Sequence, residues 1–392
     1  MLGQNAVVRE TANQTQDSVI EIGQDQPQSA RGAGQQWPAS CKCSGIRFRD
    51  HVMSLKNTPQ IRTGCPGLVQ TTSADVDEHC AQLGGWRLTY DQISAGAFRG
   101  SFTLISLPRL QIFREVTSQQ VRQYGRLDAD CFSVGLAWHS GGPLSLNGTG
   151  ITQDALVVSF DADIDFCTPR AFELRGMTLS TQLIEAIAGQ LAIELPADLK
   201  HRMRAIAAPA DALRRLRAAL AAMDAVLGAP EEFLHDTTIS EALQDSLLLA
   251  ITDLLPDARL CDTSRSAAAR KRIVAQATEM MLASSDQPLS LLDVCKAVGA
   301  SRRKLSYCFQ DVLGTSPVSY WRAIRLNRVR RDLKSRRDPR DGIYDIAVRH
   351  GFWHFSQFSL DYKRHFAELP SETLRRARMD ASSQFRQNSF RH

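Results

Sequence analysis

Near residue 305, polar side chains recur about one helical turn apart, so that they could donate and accept hydrogen bonds at one surface. These residues are Arg302, Arg303, Ser306, Tyr307 and Gln310. An arginine can bond a guanine edge in the major groove of DNA, and a tyrosine can contact a phosphate or a thymine methyl group. The same residues would form an ordinary solvated helix face if the surrounding charge were balanced, so the charge distribution decides between the two interpretations.

The charge is divided unequally along the chain of 392 residues. Residues 265–392 contain 25 Lys and Arg against 12 Asp and Glu, a net charge of +13, whereas residues 1–264 contain 22 against 30, a net charge of −8. A basic C-terminal third attached to an acidic body is typical of a nucleic-acid-binding module. The sequence therefore favours DNA as the partner of the polar helix face.

Two helix-turn-helix patterns, Leu289–Gln310 and Ile343–Phe366, would position the polar side chains. In the first, Ser290 and Asp293 form a capping pair, Gly299 ends a short helix, and Ser301 caps the next. The apolar spacing in that second helix is i, i+3, i+4 and i+7, carried by Leu305, Cys308, Phe309 and Val312. This face must point to the core, which leaves the opposite face of a recognition helix over 301–310 free to contact bases.

A long basic helix over 317–335 is predicted to join the two units, because Ser316 can cap it and Pro317 suits its first turn. Its apolar positions are Val318, Trp321, Ile324, Leu326, Val329 and Leu333, and its charge comes from Arg322, Arg325, Arg328, Arg330 and Arg331. Nineteen residues span about 28 Å at 1.5 Å each. With short flanking turns, the units would lie roughly 34 Å apart, the distance between successive major grooves.

The second unit carries a recognition helix predicted over 354–366, whose inner face is Phe358, Tyr362 and Phe366. Ser356, Leu360 and Lys363 project outward, and Phe355 lies at the edge of the core. This surface is poorer for base reading, so Lys363 and Arg364 are expected to contact phosphates, with apolar contacts to thymine methyl groups. His354 and His365 are expected to be exposed or to cap the helix rather than to bind a metal.

The fold class predicted for the whole chain is α+β, in five segments. These are a disordered N-terminal extension over 1–70, a β-rich effector-sensing domain with helices over 71–260, a linker over 261–267, an all-α double helix-turn-helix domain over 268–380, and a disordered tail over 381–392. Short runs of β-branched and aromatic residues predict strands at Ser101–Leu107, Leu110–Val116, Cys131–Trp138, Ala155–Phe160 and Ala171–Leu174. Such runs are typical of a cupin-like barrel or a sandwich.

Four stretches around these strands have helical spacing. The spacing permits a helix between Asp75 and Ile93, and a helix is predicted after Ser180, where Leu183, Ile184, Ile187 and Leu191 share one face. Two more helices are predicted over Asp211–Leu227 and Ser240–Leu255. The apolar faces of the latter two could serve the core of one subunit or the interface of a homodimer, and the sequence leaves both open.

The nine cysteines are odd in number and mostly isolated, which indicates reduced thiols in a cytoplasmic protein. Cys41 and Cys43 are too few for a zinc site, and neither a metal site nor a cofactor is expected. The sequence shows no signal peptide or membrane span. Met53 could be the natural start.

The segments "GASRRKLSYCFQDVLGTSPVSYWRAIRLNRVRR" and "DIAVRHGFWHFSQFSLDYKRHFAELPSETLRR" resemble the AraC-type family of bacterial transcription regulators, over about residues 270–378. By this resemblance, the base-reading positions fall on Arg303, Ser306 and Tyr307 in the first unit. In the second unit they fall on Phe355, Ser356, Ser359 and Leu360. The chain departs from the family pattern at Leu360, where arginine is common, and at Phe355, where a polar residue is usual.

The stretch "YDQISAGAFRGSFTLISLPRLQIFREVTSQQVRQ", with "IRLNRVRR" and "GFWHFSQF", is similar to the subgroup containing the ethanolamine-utilisation operon regulator. That resemblance implies a β-rich effector domain, recruitment of RNA polymerase for activation, and ethanolamine, either alone or with a cobalamin cofactor, as the signal. The candidates for lining an effector pocket are Phe113, Arg114, Tyr124, Phe132 and Trp138.

Two other classes of protein compete with a ligand-responsive regulator. One is an enzyme acting on nucleic acid, such as an alkyl-transfer repair protein, but the N-terminal body contains no Cys-His-Asp/Glu grouping with zinc spacing and no phosphate-binding glycine loop. The other is an architectural DNA binder without a sensing function, against which the size of the β-rich region argues. The sequence therefore predicts a regulator and no catalytic residues.

Overall fold

The computed structural model describes residues 67–389, except 84–85, 128–129, 191, 194–199, 230–233, 258, 262–264, 284–288 and 336–340. Met53, Cys41, Cys43 and most of the predicted N-terminal extension lie outside the described residues. The described residues form a β-rich domain, residues 67–260, followed by a helical domain, residues 265–389.

The β-rich domain contains two sheets that share one long strand. The first sheet has the order β1 (Gly67–Ser73), β3 (Gly100–Ser106), β4 (Leu110–Thr117), β10 (Phe172–Ser180), β6 (Cys131–Ser140), β9 (Leu156–Thr168), β12 (Arg204–Ala207) and β13 (Arg259–Leu260). The second has β2 (Arg87–Gln92), β5 (Val121–Arg126), β9, β7 (Leu144–Leu146) and β8 (Thr149–Ile151). A short strand, β11 (Lys200–Arg202), adds a parallel pair to β9.

Strand β9 joins the sheets because its two halves have different partners. Residues 156–160 pair with β6, and residues 163–168 pair with β5. Within the described ranges, the outermost strands of the first sheet, β1 and β13, do not pair with each other. The predicted β-rich domain is therefore confirmed as two joined antiparallel sheets, in keeping with the sandwich alternative and not with a closed barrel.

The two faces of the first sheet are both covered, which explains why its strands are apolar on both sides. One face packs on the second sheet through Phe102, Phe113 and Phe172 on one side and Val121 and Phe166 on the other. The opposite face packs on helices α2 (Thr181–Gln190), α3 (Ala210–Gly228) and α4 (Thr237–Leu254). All three predicted helices are present here, and their apolar faces pack on the sheet of the same chain.

Close packing makes one glycine of the first sheet indispensable. A Cβ atom on Gly176 of β10 would lie 2.3 Å from the carbonyl oxygen of Val134 and 2.4 Å from the ring of Phe113. Val134 of β6 and Phe113 of β4, the strands on either side, can approach β10 this closely only because the side chain is absent.

The helical domain contains seven helices among the described residues. They are α5 (Arg265–Ala283), α6 (Leu291–Ala297), α7 (Arg302–Leu313), α8 (Pro317–Ser335), α9 (Ile343–Arg349), α10 (Phe355–Phe366) and α11 (Pro370–Ser389). One apolar core joins α5, α6, α7 and the first half of α8, and a second joins the rest of α8 to α9 and α10. Both predicted helix-turn-helix units are present.

Several predicted boundaries are wrong. The helix expected between Asp75 and Ile93 is only α1 (Val76–Gln82), because residues 87–92 form β2 and pair with β5, a partner too distant along the chain to show in local spacing. Strand β1 begins at Gly67, inside the segment expected to be disordered, and pairs with β3 along its whole length. Helix α5 begins at Arg265 within the expected linker, and α11 continues to Ser389 within the expected tail.

Candidate DNA-binding surface

Local sequence signals set the helix ends in the first unit. The backbone N–H of Asp293 donates to Oγ of Ser290 over 3.2 Å, and the N–H of Ser290 donates to Oδ2 of Asp293 over 3.1 Å, which completes a capping box on α6. Gly299 turns the chain at φ 62°, a left-handed conformation that glycine tolerates without strain. Ser301 then caps α7, accepting a hydrogen bond from the N–H of Lys304.

Helix α7 divides into a buried and an exposed face, as predicted. Leu305, Cys308, Phe309 and Val312 are buried. Arg302, Arg303, Tyr307 and Gln310 are exposed, and Ser306 is half-buried. The side chain of Tyr307 is 61% exposed, a large fraction for an aromatic residue. The structure therefore brings the five predicted base-reading and phosphate-contacting residues of this unit to one solvent-facing surface.

The second unit repeats the arrangement with weaker caps. The N–H of Gly342 donates to Oδ2 of Asp345 over 2.9 Å at the start of α9, and Gly351 turns the chain at φ 78°. His354 is the N-cap residue of α10, but its side chain makes no capping hydrogen bond. Phe358, Tyr362 and Phe366 are buried, as predicted.

The exposed face of α10 is more apolar than that of α7. Phe355, Ser356, Leu360, Lys363 and Arg364 are exposed, and Ser359 is half-buried. Leu360 is 64% exposed, and the neighbouring Trp353 is 61% exposed. Arg364 also donates from Nη2 to Oδ1 of Asp361 over 2.8 Å, which holds its guanidinium beside the helix. These features suit phosphate and methyl contacts better than hydrogen-bonded base reading.

Helix α8 has the predicted bounds, but not all its side chains have the predicted roles. Val318, expected to be buried, is 44% exposed. Arg330 is 3% exposed, so it does not supply charge to a surface. Arg330 lies on the same helix face as Leu326, four residues before it, and Leu333, three residues after it. This position within an apolar stripe is the sequence signal that could have indicated its burial.

Arg330, Arg331 and Lys334 of α8 form ion pairs with aspartates of the β-rich domain, and we call this group the acidic contact. Nη2 of Arg330 lies 2.9 Å from Oδ2 of Asp75, and Lys334 pairs with the same carboxylate. Nη2 of Arg331 lies 2.6 Å from Oδ1 of Asp91. Although burial opposes ionisation of Asp75, Arg330 and Lys334 outweigh it and hold its pKa below the ordinary 3.8.

Hydrogen bonds from side chains of α8 and α10 to the backbone of Gln92 extend the acidic contact to the second unit. Asn327 of α8 accepts from the N–H of Gln92 over 3.1 Å and donates to its carbonyl oxygen over 2.8 Å. The ring of His365 on α10 lies with Nε2 2.9 Å from the same carbonyl oxygen. His365 was expected to be exposed or capping, and this prediction is wrong because the β-rich domain covers it. Burial lowers its pKa to about 4.

The five residues predicted to line an effector pocket are not brought together. Phe113 lies in the core between the sheets, whereas Phe132 lies in the core between the first sheet and its helices, against Phe160. Arg114 pairs with Glu173, and the ring of Trp138 lies 4.1 Å below the guanidinium of Arg175. Tyr124 lies 4.8 Å from the guanidinium of Arg122. Consecutive strand residues point to opposite faces of a sheet, so a set chosen by residue type is divided between them.

Two thiols of the β-rich domain are poor nucleophiles. Burial raises the pKa of both Cys80 and Cys167 to about 12, so each thiol stays protonated at neutral pH. The described residues contain no group of three or more His, Cys, Asp or Glu that could hold a metal ion. Among the described helices, none combines the length and apolar character needed to cross a membrane.

Comparison with known proteins shows what the helix-turn-helix region is similar to. Residues 294–376 match the family model described as a helix-turn-helix domain. A probable thc operon regulatory protein of Rhodococcus erythropolis is 39% identical over 103 residues, which cover 26% of this chain and 31% of that protein. A XylDLEGF operon transcriptional activator of Pseudomonas putida is 33% identical over 93 residues, covering 24% of this chain and 28% of the activator.

The chain spans about a third of the length of the first of these relatives. A solved structure from Chromobacterium violaceum, described as a transcriptional regulator with an AraC-type DNA-binding domain, is 34% identical over 28% of this chain and 96% of its own, with a TM-score of 0.26. Residues 294–376 therefore form a helix-turn-helix domain that is similar to a region of these operon regulators.

Proposed function

We propose that this protein is a ligand-responsive transcription regulator that binds DNA with α7 and α10 in two successive major grooves. The observation that carries the proposal is the pair of helices α7 and α10, each with a buried inner face and an exposed outer face, joined by the 19-residue helix α8. At 1.5 Å per residue α8 is about 28 Å long, close to one turn of B-form DNA.

The two units are expected to make different kinds of contact with DNA. Arg303 and Tyr307 are exposed on α7, so the first unit supplies hydrogen-bonded readout of bases. Lys363 and Leu360 are exposed on α10, so the second unit supplies phosphate contacts and apolar contacts to thymine. The high net positive charge of residues 265–392 supports both roles.

A binding assay with the full chain tests this division. Sites are first selected from random duplexes, and Arg303→Ala is then expected to raise Kd at the preferred site about 5-fold to 150-fold, since one bidentate base contact is worth roughly 1–3 kcal/mol. Arg215→Ala is the matched control, because it removes the same charge from the surface of α3 in the β-rich domain. It should leave Kd unchanged. If Arg303→Ala raised Kd equally for all DNA sequences, base reading by Arg303 would be contradicted.

Footprinting tests the two-groove geometry. We expect two protected segments on one face of the duplex, about 10 base pairs apart from centre to centre. Protection of a single groove would refute the arrangement. A cytoplasmic location is part of the proposal, because the chromosome is the partner.

Activation by contact with RNA polymerase is proposed by analogy with the Pseudomonas putida proteins, whose names describe them as transcriptional activators. Expression of a reporter gene placed downstream of the selected site should increase when the intact chain is present. A fall in expression would indicate repression. Ethanolamine as the signal stays a prediction of the sequence resemblance.

A homodimer is also proposed, through the outer surface of α4. Leu249 of this helix is 64% exposed although the helix is otherwise well packed on the sheet. Sedimentation of the intact chain and of Leu249→Glu tests it: a dimer that the substitution dissociates supports this interface, and a monomer at micromolar concentration contradicts it.

A further inference from the structure

The second helix-turn-helix unit presents three exposed apolar side chains, Tyr344, Phe355 and Leu360, which we call the apolar face. Phe355 and Leu360 belong to α10, and Tyr344 belongs to α9. The rings of Tyr344 and Phe355 lie with their centroids 5.9 Å apart, although Tyr344 is 55% exposed and Phe355 is 40% exposed. Single exposed apolar residues are ordinary, but a group of them on one unit indicates a surface that contacts a partner.

The side chains of α10 best suited to read bases by hydrogen bonds are engaged by a carboxylate of the same helix. Nε2 of Gln357 donates to Oδ1 of Asp361 over 3.1 Å, and Nη2 of Arg364 donates to the same oxygen over 2.8 Å. A glutamine amide pairs with adenine and a guanidinium with guanine, but here both groups already have a partner. The large exposed side chain beside them is that of Leu360.

The charge around the apolar face complements DNA. Asp361 is the only carboxylate over residues 353–366, and its side chain is 5% exposed, whereas Lys363 and Arg364 are exposed. A surface with exposed cations and a buried carboxylate attracts phosphates. The recognition helix of such a unit turns its N-terminal residues to base edges. Leu360, the sixth residue of α10, therefore suits a base edge, and Lys363 in the last turn suits a phosphate.

The apolar group that a leucine can contact in the major groove is the methyl group on C5 of thymine. Cytosine has a hydrogen atom at this position, and methylation of cytosine at C5 places the same methyl group there. The adjacent group differs, because thymine presents the acceptor O4 and cytosine presents the donor N4. Ser356, exposed one turn before Leu360, has a hydroxyl that can donate or accept and so suits either base.

We propose that Leu360 reads the C5 methyl group of a pyrimidine in the DNA segment that α10 contacts, the second half-site, and that thymine and 5-methylcytosine are equivalent there. This inference rests on the proposed function and adds a chemical modification of DNA to which the protein responds. A site with cytosine at this position binds weakly until the cytosine is methylated. Methylation of the chromosome then changes the occupancy of that site.

Modified duplexes test the methyl contact with the full chain. A site is selected from random duplexes, and the second half-site is the protected segment in which Arg303→Ala leaves the base preference unchanged. Each of its thymines is replaced in turn by deoxyuridine, which lacks only the methyl group. At one position Kd should rise about fourfold, which corresponds to about 0.8 kcal/mol for one buried hydrocarbon group. Deoxyuridine outside the two half-sites is the control and should leave Kd unchanged.

Cytosine tests the equivalence at the same position. A C·G pair there should bind more weakly than T·A, and methylation of its cytosine at C5 should lower Kd about fourfold. Equal Kd values for thymine and deoxyuridine throughout the second half-site overturn the proposal. A selected half-site without thymine, or a cytosine whose methylation leaves Kd unchanged, overturns it as well.

Substitutions assign the methyl contact to Leu360. Leu360→Ala shortens the side chain, and Leu360→Asn keeps its approximate size but makes it polar, so both should abolish the fourfold difference between thymine and deoxyuridine. Leu292→Ala is the matched control and should keep the difference, because Leu292 of α6 is 63% exposed but lies outside both recognition helices. A difference that persists in Leu360→Ala overturns the assignment. Dissociation of a dimer by Leu360→Ala, with the difference unchanged, would instead make the apolar face an interface between copies.

The same assays separate this proposal from the proposed function. If the chain selects a site that Arg303→Ala weakens, while thymine and deoxyuridine bind equally in the second half-site, the methyl assignment fails and the regulator stands. If the chain selects no site from random duplexes, the proposed function fails and the methyl assignment fails with it.

Discussion

Acidification should destabilise the fold through His365, the buried ring that contacts Gln92 across the two domains. Desolvation by burial is the main cause of the low pKa of about 4, and Arg330 and Arg364 add to it. The hydrogen bond to the carbonyl oxygen of Gln92 and the charge of Asp361 oppose the shift without cancelling it. The folded chain therefore holds this ring neutral at a pH where the unfolded chain protonates it.

The sign and size follow from proton linkage. Between the ordinary pKa of 6.5 and the folded value of about 4, the unfolded state binds more protons, so stability is lost as the pH falls through this window. At pH 5 the ring is about 1.5 units below its unfolded pKa, and each unit corresponds to about 1.4 kcal/mol. The expected loss from this one residue is therefore about 2 kcal/mol between pH 7 and pH 5.

Urea unfolding at the two pH values isolates this loss. His365→Gln keeps an N–H donor near the carbonyl oxygen of Gln92 but cannot titrate, so its stability should fall by about 2 kcal/mol less than that of the unmodified chain. His354→Gln is the control, because the ring of His354 is exposed and is not desolvated. Identical pH responses in the unmodified chain and His365→Gln would refute the reasoning.

Two further substitutions test the acidic contact and the core of the first unit. Asp75→Asn leaves buried Arg330 with Glu368 as its remaining carboxylate partner, so we expect the free energy of unfolding in urea to fall by about 3 kcal/mol. The control Asp211→Asn changes an exposed carboxylate and should leave the urea midpoint unchanged. Equal midpoints in the two variants would contradict a buried ion pair. Phe309→Ala should lower the free energy of unfolding by about 3–5 kcal/mol, because the Phe309 ring is fully buried against Tyr320. A comparable loss of stability in Tyr307→Ala would show that α7 presents a different face to the core.

The helical domain was predictable because its signals are local. Helix α8 begins at Pro317 and ends at Ser335 as predicted, since a cap, a proline and a regular apolar spacing all lie within the helix itself. The buried and exposed faces of α7 and α10 follow from the 3.6-residue period in the same way. Whether those exposed residues contact DNA remains a prediction that the binding assays address.

The β-rich domain was predictable only in class, because strand pairing is set by residues far apart in the chain. The five strands inferred from composition exist, but the eight others, most of them short or polar, were missed: β1, β2, β5, β7, β8, β11, β12 and β13. The acidic contact was missed for a related reason: the partner of Arg330 is Asp75, and nothing near either residue in the sequence indicates the other. The residues chosen for a pocket lie apart, because residue type does not determine which face of a sheet a side chain occupies.

Helix α8 belongs to both helix-turn-helix units and to the contact with the β-rich domain. A rotation of this one helix about its axis would turn α7 and α10 in the same sense, so the exposed face of neither helix can change direction alone while α8 stays continuous. Under the proposed two-groove binding, the DNA sites that the protein recognises must then keep both half-sites in fixed phase. An insertion of about 5 base pairs between the half-sites would place the second one on the far side of the duplex, and we expect it to abolish recognition of the whole site.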